Sequence, residues 1–201
     1  MKKLLAASLV ALTTATAARA EPLKVYDAYM GMDLGLGMMS YIDMSSKEIE
    51  DYGFPESTLM LGFDIGAKFR PLDSIYNPGL SLAWNLSFPI EPKNSNITYN
   101  WYTFGADFDN YFAIANRTDA SARTDLILGI GYHAVTTSYM GGGAGSGSGT
   151  DMSLALKFGI DQSLTENMKL NAKIQFFLLP GDTKGEQDVF TKMSIGFKIV
   201  Y

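Results

Sequence analysis

Eleven ionisable residues of this 201-residue chain fall singly on the polar side of stretches in which apolar residues alternate. Asp33, Asp64, Asp107, Asp125 and Asp161 share this setting with Lys68, Lys157, Lys169, Lys173, Lys192 and Lys198; Phe63-Asp64-Ile65 and Leu156-Lys157-Phe158 are typical. A period of two puts such charges on one face of a strand. Charges collected there either pair with one another and pin the register, or line a charged conduit. Other chemistry has little to work with. His133 is the sole histidine and is followed by Ala134 and Val135, while Ser138 and Asp125 nearby lack the spacing of a nucleophilic triad. One imidazole without any Cys makes a poor transition-metal site, so no metal and no cofactor is expected. The run Gly141 to Gly149 is glycine-rich, but a phosphate-binding loop needs Gly-Lys-Ser/Thr opening a helix, and here Thr150-Asp151 leads into a strand pattern. It reads as a flexible, low-complexity surface loop.

The amino terminus supplies the compartment. Met1-Lys2-Lys3 is positive, Leu4 to Leu12 is apolar, and Ala18-Arg19-Ala20 suits a small-x-small cleavage site, which predicts a secretory signal over 1–20 and a mature domain over 21–201. Such a signal directs the chain through the Sec pathway. The mature chain then holds 13 basic and 21 acidic residues, a formal charge of −8. That balance, without a Lys/Arg run, argues against nucleic acid as a partner. The absence of Cys excludes a disulfide framework. No later stretch is apolar for the roughly 18 residues of a spanning helix, so any membrane crossing must be made by strands.

Eight segments carry the alternation: 30–38, 59–69, 80–88, 102–108, 126–134, 152–160, 170–178 and 193–201. The last is the clearest, with Met193, Ile195, Phe197, Ile199 and Tyr201 on one face and Lys192, Ser194, Gly196 and Lys198 on the other. The connections alternate between longer stretches (41–57, 89–97, 138–150, 180–188) and the others (70–79, 110–123, 163–167). The fourth segment either stops near Phe108 or runs on through Phe112 and Ile114, which keep its parity and leave Asn116–Ser121 as a tighter turn. The non-apolar face is rich in glycine, Ser, Thr and Asn rather than long charged side chains. This suits the inside of a narrow closed barrel, where eight strands leave just enough room for side chains, better than the wet face of a soluble sandwich. Closure also satisfies every backbone group in lipid. Trp84, Phe88, Trp101, Tyr102, Tyr132, Phe158 and Tyr201 are expected on or near the lipid face, some of them in interfacial girdles.

An apolar strand face ending on a terminal aromatic, after seven further alternating segments, resembles the small bacterial outer-membrane β-barrels of the OmpA, OmpX and opacity type. The resemblance implies an all-β, eight-stranded antiparallel up-and-down transmembrane barrel in the outer membrane of a Gram-negative bacterium. It implies outer-membrane lipid and lipopolysaccharide as surroundings, and an assembly signal in Phe197, Ile199 and Tyr201 read by the barrel-assembly machinery. The expected role is structural or surface-interacting and non-enzymatic. A narrow channel for small solutes is the alternative, since the lumen glycines leave room for water. Lipid-modifying enzymes also occur among small barrels, using a His at the lipid-exposed rim, whereas parity turns His133 inward. The acidic loop 41–57, with Asp43, Glu48, Glu50 and Asp51, is the candidate for contact with a surface ligand.

Overall fold

A computed structural model describes residues 26–43, 48–50, 57–69, 74–89, 97–141, 145–180 and 186–201. The proposed signal over 1–20 lies outside the described residues. Those described form strands and turns, with β1 Tyr26–Asp43, β2 Glu48–Glu50, β3 Thr58–Phe69, β4 Tyr76–Ser87, β5 Ile97–Ala115, β6 Thr124–Gly141, β7 Ser146–Thr165, β8 Met168–Pro180 and β9 Glu186–Val200. Each of β3 to β9 pairs antiparallel with its sequence neighbour, β1 pairs with β3, and β9 returns to β1, so eight strands close into a barrel. The short β2 stands apart from that ring and pairs with the far end of β1, Tyr41↔Glu50 to Asp43↔Glu48.

The pairing register fixes the barrel's shape. From Leu126 on β6, partners run through Ile160, Ala172, Ile195, Leu34, Leu61, Leu86 and Tyr102, and return to β6 at Thr136, ten residues further on. With about 3.3 Å per residue and about 4.8 Å between strands, that stagger tilts the strands by about 40° and sets a backbone radius of about 8 Å. An interior that narrow has room for side chains and little else.

Parity decides which side chains fill it. Leu34, Phe63, Leu82, Phe104, Ile130, Phe158, Ile174 and Phe197 all face out and are substantially exposed, while the intervening Asp33, Asp64, Ser81, Asn85, Lys157, Lys173 and Lys198 are buried. Side chains that water would expel therefore cover the exterior, as a hydrocarbon solvent demands. The first and last described residues, Tyr26 and Tyr201, taken below as the termini, and the tight β7–β8 turn, only Glu166–Asn167 long, lie at one end of the barrel. At that end Tyr26, Phe69, Tyr76 and Tyr201 form an exposed aromatic girdle. Tyr76 and Phe112 stack with centroids 5.3 Å apart.

Several boundaries differ from the sequence reading. Strands of 12 to 20 residues outrun the roughly 9–11 needed to span lipid. The fourth alternating segment runs on to Ala115, with a bulge between Ala113 and Ala115. Asn116, at φ 47°, then turns the chain, helped by its side-chain amide donating to Ala122 O. The supposed loop 138–150 is largely strand: Ser138↔Ser148, Tyr139↔Gly147 and Met140↔Ser146 continue the β6–β7 ladder. Backbone pairing, which glycine and serine can supply, outweighs their weak strand preference there. Loop 41–57 likewise starts and partly continues as strand, and 44–47 and 51–56 lie outside the described residues. Trp101 is a correction of another kind. It is 5% exposed, inside the barrel, because it shares the odd-numbered parity of Thr103, Gly105 and Asp107.

Candidate functional site

The lumen holds seven carboxylates, Asp27, Asp33, Asp64, Asp107, Asp109, Asp125 and Asp161, and seven cations, Lys68, Arg123, Lys157, Lys169, Lys173, Lys192 and Lys198, all buried among the described residues. Alternation put them there strand by strand; the ten-residue stagger sets which of them meet.

Near the end bearing the termini, Asp125 accepts from Lys68 Nζ at 2.5 Å and from Arg123 Nε at 2.7 Å. Above it Lys198 Nζ lies 2.9 Å from Asp161 Oδ2. The same ammonium sits 4.8 Å from the centre of the Tyr29 ring, and Tyr29 Oη lies 3.3 Å from Tyr111 Oη. Lys68 rests over Tyr111 at 4.5 Å from its ring centre and Lys198 lies 5.3 Å from it, so one phenol ring attracts both cations. Halfway up, Lys173 bridges Asp33 (3.0 Å) and Asp64 (3.7 Å). Lys192, fully buried, donates to Asp33 and to Asn85 Oδ1. Across the lumen Lys157 bridges Asp107 (2.6 Å) and Asp109 (3.0 Å). Lys169 is buried too and stands opposite Lys198 in register.

His133 completes the last group. Its Nε2 donates to Asp107 Oδ1 at 2.8 Å, and no part of the ring is exposed. The sequence neighbours Asp125 and Ser138 are not its partners: Asp125 sits in the lower cluster, and Ser138 lies near the tip of the β6–β7 hairpin. Register brings Ser153 opposite His133, but the Ser153 hydroxyl donates to Leu178 O at 3.0 Å. The ring of Phe177 meets His133 edge-on at 5.2 Å. Phe177 belongs to an apolar layer with Met60, Trp101, Val135, Ala155, Leu179 and Phe190, all buried, which caps the lumen at the end opposite the termini. Phe190 joins the rings, 5.7 Å from both Trp101 and Phe177.

The glycines do not hold the lumen open. A methyl group at Gly31 would overlap the Asp64 carboxylate, at Gly62 those of Asp33 and the Lys192 ammonium, at Gly131 that of Asp107, and at Gly37 the side chains of Met60 and Phe190. Each missing side chain makes the space a neighbour's charged or aromatic group occupies. Asp27, Tyr29, Asp109, Tyr111 and Arg123 went unnoticed in the sequence reading because they flank the segments drawn there. Extending the same parity by two to four residues finds them. Among the described residues no group of three or more His, Asp or Glu side chains is placed to hold a metal.

A closed antiparallel barrel with charges paired inside and aliphatic and aromatic side chains outside is a membrane-spanning barrel. No protein-family model matches the sequence, and comparison with curated proteins returns no match. Among solved structures, Neisserial surface protein A is similar over 86% of this chain and 96% of its own, with TM-score 0.53 and 14% identity. The outer membrane enzyme PagL is similar over 84% and 98%, with TM-score 0.50 and 12% identity. The outer membrane protein OprG of Pseudomonas aeruginosa gives 88% and 95%, with TM-score 0.48 and 12% identity. The chain has the fold of the small eight-stranded outer-membrane barrels.

Proposed function

We propose that this barrel is a non-enzymatic, non-conducting component of the outer membrane that acts as a stable scaffold presenting its outer hairpins to a surface ligand. The observation that carries the reading is the filled lumen: an aromatic cap around Phe177 and Phe190 over seven carboxylates and seven cations, joined by contacts across the barrel such as Lys198–Tyr111, from β9 to β5, and Lys68–Asp125, from β3 to β6. With side chains occupying the space beside the glycines, the supposed water path through the lumen loses its support. The long β6–β7 hairpin and the β1–β2 extension supply the surface-directed part, the latter pairing 41–43 with the acidic 48–50. The same reading has Phe197, Ile199 and Tyr201 addressed by the barrel-assembly machinery, with lipopolysaccharide around the outer rim.

Planar bilayer recording on the purified barrel tests it. A silent bilayer is expected; discrete conductance steps would replace the scaffold by a channel. PagL shares the fold as an enzyme, so lipid chemistry needs its own test. Here His133 lies beneath the cap rather than at the lipid rim. Mass spectrometry of lipid A from cells with and without the protein is expected to give the same acyl pattern, and a changed pattern would overturn the non-enzymatic reading.

A further inference from the structure

The outward face is not uniformly convex. Three successive register rows wrap around β7, β8, β9 and β1. The middle row, Gly159–Lys173–Ser194–Gly35, points inward and leaves only backbone on the outside. The rows on either side carry bulky apolar groups such as Phe158 and Met193, except at Ala172, where one wall is cut away. The result is a furrow of about 850 Å³ with an almost wholly apolar lining, starting at Leu126 on β6 and ending at Leu34 and Leu36 on β1.

Its direction follows from the register. The row containing Ala172 begins at the girdle pair Tyr76–Phe112, passes Leu126, and climbs away from the end bearing the termini as it moves from β6 to β1. Four strand-to-strand steps of about 4.8 Å make the furrow about 19 Å long, and a row inclined about 40° rises about 12 Å over that length. Half of a hydrocarbon core of about 30 Å is about 15 Å, so a furrow that climbs about 12 Å to Leu34 and about 17 Å to Leu36 runs from the interface to about the midplane. At its foot the outward-facing residues change character. Thr124 and Gln162 stand two rows below Leu126 and Ile160, past the inward pair Asp125–Asp161, and the Thr124 hydroxyl donates to Gln162 Oε1 at 2.5 Å. A polar foot at the interface, an apolar groove rising from it, and continuity with the lipid-facing belt match a molecule with a polar head and a long tail.

We propose that the furrow seats one acyl chain of a phospholipid of the periplasmic leaflet, with its headgroup at the level of Thr124 and Gln162. The proposal rests on the outer-membrane location. A tail lying along the furrow meets apolar side chains on both walls and the sheet backbone beneath, more contact than a convex belt gives to a tail passing beside it. Ala172 is the determinant of width.

Native mass spectrometry of the purified full barrel with added phosphatidylethanolamine tests this. The wild-type chain is expected to carry one retained lipid. Ala172→Phe, which fills the furrow from the lipid side, should cut that adduct at least tenfold, while Ala134→Phe, outside the furrow, keeps it. Ala172→Leu serves the same purpose should the larger ring impair assembly. Identical lipid retention in wild type and the filled variants overturns the proposal. So does a wild-type dimer that dissociates on filling, which would assign the furrow to a second barrel. Failure of the wild-type chain to fold in detergent or lipid, read as equal gel mobility before and after boiling, would overturn the membrane location itself and is separable from either result.

Discussion

Asp107 sits at the centre of the upper charge group, buried between β5, β6 and β7. Its two oxygens accept from Lys157 at 2.6 Å and His133 at 2.8 Å, and neither partner is more than 4% exposed. Replacing Asp107 by Ala leaves His133 Nε2 without an acceptor and Lys157 with Asp109 alone. Breaking one member out of a buried charge group typically costs about 3–5 kcal/mol. With a urea slope of about 2 kcal/mol per molar, the unfolding midpoint should fall by about 2 M. The assay is equilibrium unfolding in phospholipid vesicles, followed by the fluorescence of Trp84 on the lipid face and Trp101 in the cap. A companion variant removes the whole group: Asp107→Leu, Asp109→Leu, Lys157→Met and His133→Leu together. Because no charge is then stranded, its stability should stay near wild type or rise by about 1–4 kcal/mol. A loss below about 1 kcal/mol for Asp107→Ala would mean that water reaches Lys157. The filled-lumen reading would then be wrong.

Three further outcomes follow from other parts of the barrel. Gly131→Ala pushes a methyl group into the Asp107 carboxylate and should cost about 1–3 kcal/mol in the same unfolding assay, whereas Gly149→Ala, with open space around it, should cost nothing measurable. Asp119, in the exposed β5–β6 turn, is held below the ordinary carboxylate value by the Ser121 hydroxyl and backbone N–H, at 2.6 and 2.9 Å. Its depressed value stabilises the turn above the ordinary carboxylate range, a contribution lost as pH falls through the folded value; carbon-13 NMR titration should show the depression, and Ser121→Ala should raise it. Tyr201 donates its backbone N–H to Ala28 O at 2.9 Å and faces the girdle, so its deletion should lower the fraction of barrel inserted in cells, and normal assembly would remove Tyr201 from the assembly signal.

Inside and outside were readable because they depend on parity alone, and parity survives without knowing the register. Leu34 and Asp33, or Phe197 and Lys198, are assigned by counting in twos. Level along the axis is not readable that way. Phe177, Phe190, Met60 and Trp101 come from four strands, and they meet in one layer only because of the ten-residue stagger, which no single strand encodes. Strand ends failed for a related reason. Ser146 to Gly149 have no apolar face to betray a strand, and they are held by the ladder with β6 beyond the lipid belt. His133 was assigned to the lumen by parity, yet its partner Asp107 stands 26 residues away and becomes visible only across the β5–β6 pair.

The seam between β1 and β9 runs over fifteen residue pairs, from Tyr29↔Val200 to Asp43↔Glu186, and joins the first and last strands of the ring. Every other ladder in the ring can form between neighbours in sequence, but this one must wait for the last strand. Until it forms, two long unpaired edges are left facing hydrocarbon that can satisfy neither. Insertion of the barrel is therefore expected to be completed only after translation and export have ended, with circularisation, the contact of largest sequence separation, as its slow step.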